Sequence, residues 1–146
     1  MARYRTTVVS PWTVERAFAY MADLRNFAAW DPGVHGVQQT SGVGGGPDAV
    51  FDVTVAGKPK DLVLTYRTVE YDSPRRFLVL AESRLLVSED RVTVHPDGTG
   101  CRVEYDAQLR LKGVLGLADL ALRPFFARIG NRAATGLRTA LEGRAA

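Results

Sequence analysis

The chain has 146 residues, 46% of them hydrophobic and 24% charged, enough for one domain with a buried core. No apolar run approaches the ~20 residues that a membrane-spanning helix needs. The net charge of +3, from 19 Lys and Arg against 16 Asp and Glu, is too dispersed to mark a nucleic-acid surface. The single cysteine, Cys101, cannot form an internal disulfide, and Met1-Ala2-Arg3-Tyr4-Arg5 leads into a strand pattern without an apolar signal region. Both features set the expectation of a cytoplasmic protein.

Arg3 to Val9 reads as a first strand, broken by Ser10-Pro11-Trp12. Thr13 is the expected N-cap of a short helix with Val14, Ala17, Phe18 and Met21 on one face. Asp23 is the expected cap of a second short helix carrying Leu24, Phe27 and Ala28, and Pro32 ends it by pushing the preceding residue out of the helical region. Strands follow over residues 34–40, 50–56, 62–71, 77–83, 86–94 and 102–111, joined by short turns that imply an antiparallel meander. With no internal repeat and no dividing linker, residues 1–146 read as one domain.

The last strands alternate most cleanly. Val103, Tyr105, Ala107, Leu109 and Leu111 share one parity, as do Leu86, Val92 and Val94. The same parity carries Ser88 and Asp90 to the inward face, unless a bulge returns Asp90 to solvent. On the strand over 62–71, Tyr66 and Arg67 oppose each other, and the pattern does not decide which points inward. Cys101 shares the parity of Val103 and is expected to be inward and unreactive.

Residues 113–146 form a long amphipathic helical pattern, with Ala118, Leu122, Phe125, Ile129, Ala133, Gly136 and Ala140 as its stripe and arginines on its other faces. Pro124 predicts a break, with Leu117 to Leu122 as a separate turn or kinked lead. The stripe is thin at Gly130, Ala133, Ala134 and Gly136, which implies either close backbone approach or empty space beneath. In the second case Gly136→Leu or Ala107→Phe would fill a void without unfolding the chain.

Val14-Glu15-Arg16-Ala17-Phe18-Ala19-Tyr20-Met21-Ala22-Asp23, then Asn26-Phe27 and Trp30-Asp31-Pro32-Gly33-Val34, resemble the opening of the START-like, or polyketide cyclase/dehydratase-like, superfamily that includes the Bet v 1 allergens. Tyr71-Asp72-Ser73-Pro74-Arg75-Arg76-Phe77 and Leu111-Lys112-Gly113 resemble two further stretches, so the likeness covers nearly the whole chain. It implies an α+β helix-grip fold: a curved antiparallel sheet of about seven strands, two short helices, and a long C-terminal helix over an internal cavity. Members of such a superfamily differ in activity, so the fold does not settle function.

Nothing has metal-site spacing, and no cofactor is implied. His95, before Pro96-Asp97-Gly98, reads as an exposed hairpin residue. His35 opens a strand and is the candidate general base, with no acid partner nearby in sequence. The glycines at 42, 44, 45 and 46 do not open a helix, so they read as a mobile hairpin loop able to gate a cavity rather than as a phosphate cradle. The expected ligand-binding residues are Phe51, Val53, Ser88, Asp90, Tyr105, Ala107, Leu109, Phe125, Phe126, Ile129 and Ala133.

The preferred function is binding of a small, mostly apolar molecule of lipid-, polyketide- or aromatic-like character between sheet and helix. The alternatives are an enzyme of cyclase or dehydratase type working through Asp90, Tyr105 and His35, or an interaction module similar to the toxin–antitoxin members. Two titratable groups converging in the cavity would favour the enzyme; a collapsed cavity and an exposed apolar patch would favour the interaction module. The partner expected is a small hydrophobic ligand, with no nucleic acid and no integral membrane association; the residues leave the oligomeric state undetermined.

Overall fold

The computed structural model describes residues 2–57, 59–113 and 119–146. Strand β1 (Ala2–Ser10) ends at Pro11, and Thr13 caps helix α1 (Val14–Ala22), its hydroxyl accepting from the Arg16 amide at 3.2 Å. Ala17, Phe18, Met21 and Ala22 form the buried face of α1. The Asp23 carboxylate accepts from the Arg25 amide at 3.1 Å and holds the Arg25 guanidinium. The helix expected after Asp23 is divided: Leu24–Asn26 is a 3₁₀ turn, and Phe27–Trp30 (α2) is a single α-turn. It stops at Asp31, whose extended backbone (φ −107°, ψ 110°) is what the following Pro32 requires.

Six strands follow: β2 (Val34–Ser41), β3 (Val50–Val55), β4 (Leu62–Asp72), β5 (Arg76–Glu82), β6 (Leu86–Asp97) and β7 (Gly100–Leu111). They form the antiparallel meander that short turns impose, and β1 returns to pair with β7. An eighth strand, β8 (Arg144–Ala145), pairs with β1, giving the order β2-β3-β4-β5-β6-β7-β1-β8. Register shifts in β2 between Val34 and Gly36 and between Gln39 and Ser41, and in β4 between Thr68 and Glu70, add the bends of a curved sheet.

Helix α3 (Asp119–Ala140) lies along β1 and touches α2. It continues through Pro124, contrary to the break the sequence suggests. Pro124 sits in the second turn, so its missing amide leaves one carbonyl, that of Leu120, without its helical donor. Of the expected separate turn, Leu117 and Ala118 lie outside the described residues and Asp119 onward is helix. The far end is closed by Glu142 N–H to Thr139 C=O at 3.2 Å and Gly143 N–H to Arg138 C=O at 2.8 Å, with Glu142 left-handed at φ 53°. The Trp12 indole donates to the Glu142 carboxylate at 2.8 Å. The buried Ser10 hydroxyl donates to the Leu141 carbonyl at 2.7 Å and accepts from the Trp12 amide.

The concave face is filled solidly at one end. Phe18 meets the rings of Phe77 and Tyr71 edge-on at 5.6 and 5.4 Å, and Val8, Val92, Val94, Val103, Leu137 and Leu141 are fully or almost fully buried around them. Cys101 is among these buried residues, where burial pushes its thiol up from the ordinary range. No helix among the described residues is long and apolar enough to cross a membrane.

Candidate ligand cavity

The other end of the concave face is open. A cavity of about 500 Å³ lies beneath the first half of α3. Period two supplies its floor and walls: Leu62, Leu64 and Tyr66 from β4, Leu86, Ser88 and Asp90 from β6, and Tyr105, Ala107 and Leu109 from β7. Helix α3 roofs it with Phe125, Phe126, Ile129, Gly130 and Ala133; Tyr4, Phe27 and residues 31–34 close the side. Leu62, Phe125, Arg128 and Arg132 line it and are also exposed, which marks the mouth.

The floor is polar and internally bonded. The Tyr105 hydroxyl donates to the Asp90 carboxylate at 3.0 Å, and the Tyr66 and Ser88 hydroxyls are 2.6 Å apart. Tyr66 pairs with Ala81 and Ala81 with Ser88, so the small alanine between them lets the tyrosine reach across β5. Trp30 stands edge-on to Tyr105 at 5.3 Å and fixes that ring from outside the cavity. Burial raises the Asp90 carboxyl to about 7, opposed by the Tyr105 hydrogen bond and reinforced by the negative charges of Asp31, Asp106 and Glu89. Burial likewise pushes Tyr66 and Tyr105 well above the ordinary phenol range, and lifts Asp31 against the opposing bond from the Gly33 amide.

Of the residues singled out from the sequence, Ser88, Asp90, Tyr105, Ala107, Leu109, Phe125, Phe126, Ile129 and Ala133 come together around this space. Three others do not. Phe51 and Val53 share the inward parity, but they are fully buried where β3 is covered by the 3₁₀ turn and belong to the solid core. Val34 lines the cavity, so the next residue, His35, faces outward, where its Nδ1 lies 2.7 Å from Asp61 Oδ2.

The glycine loop does not gate this space. None of residues 42–46 lines it; Gln39 bonds Gly44 on both sides, at 2.9 and 3.1 Å, and Gly45 packs on Ala22 of α1. The thin stripe of α3 reflects close approach at Gly130 and Gly136, while Gly130 and Ala133 also border the cavity. A Cβ at Gly130 would overlap the Tyr4 ring, and one at Gly136 would overlap the Trp30 carbonyl. Gly136→Leu therefore cannot fill a void, whereas Ala107 does face the cavity.

Sequence reasoning did not single out Tyr4, Asp31, Tyr66, Arg128 or Arg132 as cavity residues. Tyr66 was undecided by parity alone. Asp31 was absorbed by the turn it helps to build, and the two arginines, four residues apart, read as a wet helix face.

The geometry agrees with a match along the sequence. The family described as "Polyketide cyclase / dehydrase and lipid transport" matches residues 1–142. The chain belongs to that family. No curated protein matches it in sequence. Among solved structures, a START superfamily protein from Mycobacterium smegmatis superposes with a TM-score of 0.78 at 13% identity, over 97% of this chain and 98% of that one. The protein TTHA0849 from Thermus thermophilus gives 0.76 at 16% identity, over 96% and 97%. The di-domain ARO/CYC StfQ from the steffimycin biosynthetic pathway gives 0.71 at 14% identity; 97% of this chain is covered, and 49% of StfQ. At these identities the likeness is one of fold, the curved sheet gripping a C-terminal helix.

Proposed function

We propose that this member of the polyketide cyclase, dehydrase and lipid transport family binds a small, mostly apolar molecule in the cavity between the sheet and α3. The observation that carries the reading is a space of about 500 Å³ with aliphatic and aromatic walls and one polar floor, Asp90 with Tyr105 and Tyr66 with Ser88. Apolar walls supply most of the affinity, and a few fixed hydrogen-bonding groups set the orientation. The open cavity also argues against an interaction module, which would be expected to have it collapsed.

The experiment is native mass spectrometry of the purified protein for a retained small molecule, together with titration of a fluorescent apolar probe. Ala107→Phe should weaken probe binding at least about tenfold, because its ring enters the cavity floor, while the thermal midpoint stays close to that of the parent. Undiminished probe binding in this variant, or no binding by the parent, would refute the assignment.

A second reading, an enzyme of cyclase or dehydratase type, draws support from Asp90. Two titratable groups do converge in the cavity, and a carboxyl near neutrality bonded to a phenol is suited to exchanging a proton with a bound ketone or hydroxyl. Asp90→Asn should then abolish turnover of a poly-β-ketone mimic while the mimic still binds.

A further inference from the structure

We infer that the cavity selects, among mostly apolar molecules, those carrying a protonated amine, which Asp90 and Asp31 hold against aromatic walls. The inference rests on the binding reading above and names the chemistry of the ligand. Asp90 is 5% exposed; one of its oxygens accepts from Tyr105, and the other has no hydrogen-bond partner among the described residues. Asp31 also lines the space, with one oxygen held by the Gly33 amide.

The acidic groups that bear on Asp90 are Asp31, Asp106 and Glu89, of which Asp106 is already paired with Arg3 and Arg5. The groups that face it are hydroxyls, Tyr105 from β7, Tyr66 from β4 and Ser88 from its own strand. The basic side chains along the cavity, Arg128 and Arg132 of α3, are exposed at the mouth. The floor therefore holds a buried carboxyl that is protonated below about pH 7 and has no cation beside it among the described floor residues.

A neutral ligand leaves Asp90 protonated, and an anionic one makes its ionisation costlier still. An ammonium group offsets that cost: it donates charge-assisted hydrogen bonds to the free carboxyl oxygens. The lining around that floor includes the aromatic side chains of Tyr66 and Tyr105, which favour a cation over an anion. Because burial keeps the Asp90 proton on until about pH 7, an entering ammonium displaces that proton to solvent.

The test compares three probes of one shape: naphthylethylamine, naphthylethanol and naphthylacetate, titrated at neutral pH. The amine is expected to bind roughly ten- to a hundredfold tighter than the alcohol, and the acid weakest. Equal or weaker binding of the amine overturns the inference while leaving the binding reading intact; no binding by any probe overturns both. In Asp90→Asn the amine-to-alcohol ratio should fall toward one, and in Asp31→Asn part of the way. An unchanged ratio in both variants overturns the inference. Should either variant fail to fold, carboxyl-carbon NMR of the parent decides: saturation with the amine must lower the Asp90 titration midpoint by at least about one unit, and an unmoved midpoint refutes the claim.

Discussion

Asp90 carries a pH dependence that can be signed in advance. Its folded-state carboxyl titrates near 7, above its ordinary value of 3.8, so between those values the folded state holds a proton that the unfolded state has lost. This contribution to stability is complete at low pH and disappears as pH rises through about 7. Asp90→Asn, which keeps an acceptor for Tyr105, should therefore raise stability at pH 8 by on the order of a few kcal/mol relative to its effect at pH 4. Urea titrations at the two pH values measure it; an equal effect at both would refute the buried-acid account. Ser10 is the other buried polar residue with a plain consequence. Ser10→Ala strands the Leu141 carbonyl and frees the Trp12 amide, so it should cost about 1–3 kcal/mol in urea unfolding. Asp90 was legible in the sequence, because a carboxylate on an apolar parity is conspicuous. Tyr66 was not, since only its pairing through Ala81 to Ser88 shows which way the strand faces.

At the scale of elements, α3 shows what one-dimensional pattern can and cannot carry. Its amphipathic stripe was readable; its small residues marked something, yet a void and a close approach look alike in sequence. Two partners distant in the chain, the Tyr4 ring and the Trp30 carbonyl, decide for approach at Gly130 and Gly136, while Ala133 borders the cavity. Gly136→Leu should accordingly force α3 off α2 and destabilise the fold by at least about 2 kcal/mol, seen as a lowered thermal midpoint. A variant with the parent's midpoint and blocked ligand binding would restore the void interpretation. Pro124 was misleading for a related reason: a proline forbids one hydrogen bond, and packing along β1 and α2 outweighs that loss. The short strand β8 was invisible because two residues, Arg144 and Ala145, hold no period.

Across the whole molecule the meander of strands was legible from alternation and turns, and the helix-grip fold from the resemblance to its family, while the pattern did not place β1 beside β7. The boundary between packed core and open cavity was not, because Phe51 and Phe125 look equally apolar until α1, the 3₁₀ turn and α3 are in place. The topology has a kinetic side. Strand β1 pairs along its length with β7, from Ala2 opposite Leu109 to Ser10 opposite Cys101, contacts that span most of the chain. Refolding from denaturant should therefore fall in the millisecond-to-second range typical of non-local sheets, and microsecond refolding in stopped-flow or temperature-jump experiments would contradict it. During synthesis the same arrangement means that β1 waits for β7, about a hundred residues later. Until β7 and β8 leave the ribosome, β1 has no lateral neighbour, and the apolar faces of α1 and of the strands made meanwhile stay uncovered. A chain wired this way cannot complete its sheet until its last strands have been made, and until then its apolar faces are exposed to chaperones.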